Sequence, residues 1–293
     1  MNTTTNSFTT HLRTWLLIAG LTGLLIAIGL LIGGVWLYLF AGFAVAINLV
    51  GYWFSDKIAL KASRAQPVEP GAVPWLEAAV QDLAARAGVP TPRLYLIPSE
   101  QPNAFATGRN PQHAAVAVTA GLIEHLPQDQ VKGVLAHEFA HIKNRDILVS
   151  SIAAMVAGAI SAIANILQFS LLFGGDDDDS PLGLIGVIAT VIFAPLAAML
   201  LQLALSRQRE YLADRTGAQL LGRGAPLADA LENLERGAKA VPMAVNPATA
   251  SLYAVNPLPR VGIATLFMTH PPIEERVRRL RALDAEATPS VAA

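Results

Sequence analysis

Cysteine is absent from the 293 residues, which excludes disulfides, thiolate zinc ribbons and thiol nucleophiles. Any metal site must then be built from His and carboxylates. Charge is also scarce: Asp, Glu, Lys and Arg make up 15% of the chain, against roughly 25% in an ordinary soluble domain. With 53% apolar residues, this is not the composition of a disordered chain. A formal net charge of −1 supplies no basic field for nucleic acid, so no nucleic-acid partner is expected.

The missing charge is localised. Residues 14–54, 147–175 and 180–206 contain no Asp, Glu, Lys or Arg, so all 43 charges fall on the remaining 196 residues. A hydrocarbon core of about 30 Å takes roughly 20 helical residues. The first stretch therefore holds two spans, near 15–32 and 35–54, broken at Gly33-Gly34. The other two give spans near 147–173 and 182–205, joined by a turn containing Asp176 to Asp179. That acidic turn reads as solvated, because a calcium loop needs spaced ligands. The first apolar run is too long for a cleavable signal peptide and passes straight into a second span.

Lys and Arg near the span ends set the orientation. Arg13, Lys57, Lys61, Arg64, Lys143, Arg145, Arg207 and Arg209 lie on one side, and the hairpin turns carry none. Both termini and both polar segments are expected in the cytoplasm. The expected organisation is a tail and hairpin (1–54), half of a soluble domain (55–146), a second hairpin (147–206), the other half (207–283) and a disordered tail (284–293). Within the soluble halves the patterns predict helices over 74–87, 128–146, 226–239 and 272–283. They predict strands over 93–97 and 113–118 and an irregular segment over 246–259.

The chemistry centres on His137-Glu138-Phe139-Ala140-His141. Two His at i and i+4 share one helical face and can reach one metal ion, with Glu138 placed to reach a water beside it. A catalytic zinc needs a third protein ligand and an open position. His141 precedes the third span and Glu210 follows the fourth by similar distances, so both stand roughly 8–9 Å above the interface. An antiparallel hairpin would set Glu210 opposite the His pair. Asp214, one turn on, is placed to accept the free ring N–H of a ligating His. Without that hairpin, Glu210 and Asp214 read as part of a charged juxtamembrane helix. His11, His113 and His125 read as surface or packing residues.

This order of motifs resembles the HtpX heat-shock membrane proteases, relatives of the CAAX prenyl endopeptidases. The resemblance rests on His137 to His141, Ser206 to Asp214 after a membrane hairpin, Asn103-Ala104-Phe105-Ala106-Thr107-Gly108, and Thr269 to Arg276. It implies an α+β, mainly α fold: a polytopic membrane protein with four transmembrane helices and a cytosolic zincin-like (gluzincin) metalloprotease domain. It implies one Zn2+ per chain on His137, His141 and Glu210, with Glu138 as the catalytic carboxylate. It also implies a substrate-lining edge at Asn103, Ala104, Phe105 and Ala106. His270 and Arg276 match a later motif, where either could donate to the oxyanion or the substrate backbone; as isolated residues they read as a helix-start His and a surface Arg. Asn103 to Gly108, read physically, is a strand offering unpaired backbone groups to an extended peptide, or an ordinary Gly-ended turn.

The implied role is a zinc endopeptidase in the bacterial cytoplasmic membrane. It would act in quality control on misfolded or damaged membrane proteins, with membrane lipid as surroundings and the chain itself as a further substrate. The alternative is a zinc-binding membrane scaffold that does not cut, which would have lost a ligand or the base. A channel would need ionisable residues within the spans, and there are none.

Overall fold

The computed structural model describes residues 33–152, 207–241, 252–257 and 271–287, with scattered positions at 19–20, 22–23, 25–26, 29–30, 243 and 250. Helix α1 (Val35–Ala62) opens the continuous part, directly after Gly33 and Gly34, whose φ of 80° and 60° turn the chain where a side chain would strain it. An 18-residue stretch within Leu37–Ala62 has mean hydropathy 1.7, and 11% of it is buried. Leu39, Phe43, Leu49 and Trp53 stand exposed around it, which suits hydrocarbon and not water.

Among the described residues this is the one helix long and apolar enough to cross a membrane, where four spans were expected. The expected spans over 15–32 and 182–205 and the Asp176 to Asp179 turn lie wholly or mostly outside the described residues. Of the span over 147–173, residues 147–152 are described and helical. Asn48 Nδ2 donates to Thr22 Oγ1 at 2.8 Å, tying the first apolar stretch to α1. The helix also outruns its expected end at residue 54. Ala59 and Leu60 bury against Phe105 and Tyr253, so packing carries α1 into the soluble domain.

Beyond α1 come β1 (Gln66–Pro67), α2 (Pro74–Ala87), β2 (Arg93–Ile97), β3 (Ala104–Thr107), β4 (Ala115–Thr119), α3 (Ala120–His125) and α4 (Gln128–Lys143). After the second apolar region come α5 (Arg207–Leu221), α6 (Ala225–Ala240) and α7 (Ile273–Ala287). The sheet order is β1-β2-β4-β3, with β2 parallel and β1 antiparallel to its neighbour, and β3 antiparallel to β4. One sheet face meets α2, α4 and α6 through Val116, Val118, Leu83, Val134, Phe139 and Leu231. The other packs Phe105, Ala117 and Ile97 beneath the end of α1.

Several boundaries differ from expectation for local reasons. Residues 111–113 form a 3₁₀ turn instead of a strand start, with Pro111 at its first position and Asn110 Oδ1 accepting from His113 N. Helix α4 stops at Lys143, not 146, because Arg145 takes a left-handed φ of 60° and Asp146 N turns back to His141 O at 2.9 Å. Helix α7 runs on to Ala287 where the tail was expected to begin at 284. Its Asp284 accepts from Gly224 N and Ala225 N at 2.5 and 2.7 Å, capping α6 from another helix. Residues 288–293 lie outside the described residues.

Candidate metal centre

Helix α4 carries His137, Glu138 and His141 into the interior, and α5 crosses it with Glu210 and Asp214 on the facing side. The crossing is close because residue 217 is glycine. A Cβ there would stand 3.0 Å from Ala136 C and His137 N, backbone atoms that cannot swing aside. Glu210 and Asp214 sit two turns and one turn before it on the same face, so this contact sets their height on the His pair.

The three candidate ligands converge. His137 Nε2 and His141 Nε2 are 3.2 Å apart, and Glu210 Oε2 and Oε1 lie 3.7 and 3.6 Å from them, respectively. Ligand atoms about 2.0–2.2 Å from a tetrahedral zinc stand roughly 3.3–3.6 Å from one another. The three separations lie near that range, with the carboxylate meeting each imidazole through a different oxygen. The far side of each imidazole is held: His137 Nδ1 lies 2.9 Å from Asp214 Oδ1, and His141 Nδ1 lies 3.4 Å from Asp146 Oδ2. A proton on each Nδ1 aims both Nε2 lone pairs at one point, the carboxylate–histidine–metal arrangement. His137, His141 and Glu210 thus form a group that could hold a metal ion.

Asp214 is itself gripped. Arg276, with no exposed surface, donates Nε to Oδ2 at 2.8 Å and Nη2 to Oδ1 at 2.7 Å, and Nη1 to Ala254 O at 3.1 Å. The guanidinium thus braces Asp214, and through it His137, from within. His270 lies outside the described residues.

The electrostatics follow from burial and these partners. Burial pushes His137 down to about 4. Burial would also lower His141, but the hydrogen bond to Asp146 and the charges of Glu210, Asp146 and Glu138 outweigh it and raise it to about 9. Without metal the His pair therefore carries one positive charge, on His141. Burial raises Glu138 to about 8, opposed by His141 and by the Ala106 N–H that donates to it. Burial would raise Asp214 too, yet Arg276 brings it down to about 2.

Ala106, Glu138, the two His, Glu210, Leu252, Tyr253 and Ala254 enclose a cavity of about 20 Å³, room for one water or ion. Strand β3 forms its wall. Thr119 N donates to Asn103 O, so alternate residues 103, 105 and 107 turn their backbone groups to β4, and 104 and 106 turn theirs outward. The outward edge is not wholly unpaired as expected: Ala254 N donates to Ala104 O at 2.9 Å. The Asn103 side chain also turns to this segment, Nδ2 donating to Val255 O at 2.7 Å and Oδ1 accepting from Val255 N at 3.3 Å. Phe105 points to the opposite face of the sheet, edge-on to Tyr253. Residues 252–255 thus lie along the edge and close the cavity.

The sequence singled out the residues on α4 and α5 but missed Asp146 and Arg209, whose Nη1 lies 3.6 Å from Asp146 Oδ1. Asp146 is off the helix that carries His141, and only the left-handed Arg145 returns it. No periodic pattern signals that turn.

Residues 70–284 match the model described as Peptidase family M48. Protease HtpX homologs are similar over nearly the whole chain. That of Pelotomaculum thermopropionicum is 52% identical over 277 residues, covering 93% of this chain and 99% of its own. That of Persephonella marina is 53% identical, covering 92% and 96%, and that of Thermococcus kodakarensis 50%, covering 94% and 96%. Ste24p of S. mikatae, a solved structure, is 20% identical with a TM-score of 0.50, covering 94% of this chain and 67% of that one, and shares the fold. The chain belongs to peptidase family M48, among the HtpX-type membrane metalloproteases.

Proposed function

We propose that the chain is a membrane-bound zinc endopeptidase that cuts cytosolic or membrane-proximal segments of damaged or misfolded membrane proteins. The observation that carries this reading is the convergence of His137 Nε2, His141 Nε2 and the Glu210 carboxylate within 3.2–3.7 Å beside Glu138, in one cavity walled by β3. Zinc held by these three residues would supply Lewis acidity, polarising a carbonyl and acidifying a water molecule.

The chain's own groups do the rest. Glu138 takes the proton from the attacking water and hands it to the leaving amine. Burial holds its carboxyl at about 8 without metal, and a zinc cation on the neighbouring ligands would lower it, leaving a carboxylate that can take the proton. Asp214 and Asp146 fix the His rings so that neither can rotate its lone pair away. An extended peptide donates to the outward carbonyl of Ala106 on β3, whose N–H is taken by Glu138, which gives main-chain grip without sequence demand. The segment 252–255, which already takes Ala104 O, must share or yield that edge.

The Lys and Arg bordering the apolar stretches support a cytoplasmic position for the soluble domain in a multi-pass chain. Glu138→Gln tests the assignment: it should keep full metal content and lose cleavage of a membrane-protein substrate by a hundredfold to ten-thousandfold, about the worth of a general base. Cleavage at the wild-type rate by that variant would refute the role of Glu138.

A further inference from the structure

Away from the metal centre, a cleft of about 750 Å³ opens where α1 leaves its apolar stretch, lined by Trp53, Phe54, Lys57, Arg93, Arg109 and His113 among others. None of these is a candidate metal ligand. Its cations are unevenly compensated. Arg93 is paired with Asp56 at 2.6 Å. Lys57 and Arg109 have no carboxylate partner among the described residues, and their contacts are aromatic: Lys57 lies 5.4 Å from the Phe54 ring centroid and Arg109 5.3 Å from that of Trp53.

Arg109 is also positioned. His113 Nδ1 donates to Asn110 Oδ1 at 2.7 Å, which leaves His113 Nε2 to accept from Arg109 Nη2 at 2.8 Å. A neutral His thus steers the guanidinium without offsetting its charge. Two uncompensated cations in one recess call for an anion, and the recess has a further property. Leu49, Trp53 and Lys57 follow one another at i+4 along one stripe of α1, and Leu49 and Trp53 are 59% and 50% exposed. The cleft is therefore continuous with a lipid-facing helix surface, at the level where Trp and basic residues border the hydrocarbon.

We propose that this cleft binds the phosphate headgroup of an anionic phospholipid. Lys57 and Arg109 are the phosphate ligands, and Leu49 and Trp53 support the acyl chain. A free phosphate would use the cations alone; a lipid uses the stripe as well. A choline headgroup would bring its own cation against Lys57 and Arg109 and bind poorly. Because Arg109 lies two residues past the end of β3, the bound headgroup also steadies the end of the strand that walls the metal centre. The proposal does not depend on the protease reading.

The test is lipid retention by the full-length protein in detergent micelles doped with phosphatidylglycerol or phosphatidylcholine, read by native mass spectrometry. Inorganic phosphate is added in a parallel arm. Wild type should retain phosphatidylglycerol at least tenfold more strongly than phosphatidylcholine. Lys57→Gln/Arg109→Gln should fall to the phosphatidylcholine level, while Arg281→Gln, which removes a cation paired with Asp229 and Glu232 on remote helices, should match wild type. Unchanged metal content reports that the variants fold. Lys57→Gln alone, at an exposed position, provides a second variant should the double one fail to fold. Equal retention of the two lipids, or full phosphatidylglycerol retention by the variants, overturns the site. Displacement of phosphatidylglycerol by millimolar phosphate would show a soluble anion as the ligand and overturn the lipid assignment.

Discussion

Arg276→Gln separates two roles for this residue, substrate contact or internal brace, and the structure gives the magnitude. The guanidinium is fully buried and makes a bidentate pair with Asp214, which in turn holds His137. Glutamine removes the charge and leaves Asp214 buried without its cation. Breaking a buried pair from one side costs about 3–5 kcal/mol. At about 2–4 °C per kcal/mol for a chain of this size, the melting temperature should fall by roughly 10 °C.

A second readout follows from position. Asp214 orients a candidate metal ligand, and loss of such a partner typically lowers metal affinity by about 10–100-fold. Arg276→Gln should therefore weaken zinc binding, measured by competition with a chromophoric chelator, with no separate rise in KM once zinc is saturating. The acid limb should move too. Asp214, lowered from 3.8 to about 2, contributes stability present above 3.8 and lost as pH falls through about 2. Without Arg276 that contribution shrinks, and acid unfolding should begin at higher pH. In a double-mutant cycle with Asp214→Asn, the two losses should be less than additive, because each single variant strands one buried charge and the double variant strands none. A variant with wild-type stability and zinc affinity but a raised KM would refute the brace and restore a substrate contact.

Gly217→Ala places a Cβ 3.0 Å from the backbone of Ala136 and His137. It should cost about 1–3 kcal/mol by overpacking, against about 1 kcal/mol gained in helix propensity. Because α5 must shift by a few tenths of an ångström, zinc affinity should fall more clearly than stability. Unchanged affinity would show that the crossing does not set the ligand geometry. Zinc uptake should also depend on pH with a definite sign: His141 holds its proton up to about 9, so apparent affinity should rise about tenfold per pH unit from 6.5 to 9. Over the same window the chelated protein should lose stability, because a raised His contributes fully below 6.5 and is lost as pH rises through about 9. Glu138 adds to the loss between 4.5 and about 8. Flat zinc titrations across this range would contradict the singly charged His pair.

The sequence alone determined the parts of this protein that are written in spacing. Charge gaps marked α1, the i and i+4 His pair marked one helical face, and the charged helix after the second apolar region supplied Glu210 and Asp214. These features are local or periodic, and local geometry is fixed by 3.6 residues per turn whatever surrounds it. What only the tertiary structure decided lies between elements. Arg276 reads as a surface residue in its own helix and is buried because α7 packs against α5. Asp146 reaches His141 through a left-handed turn at a non-glycine residue, which no composition announces. The β3 edge reads as open, yet residues 252–255, distant in sequence, take its Ala104 carbonyl. The ligand types were legible because their chemistry is carried by side chains and their periodicity. The network that orients them was not, because it forms only where helices from both sides of the second apolar region meet.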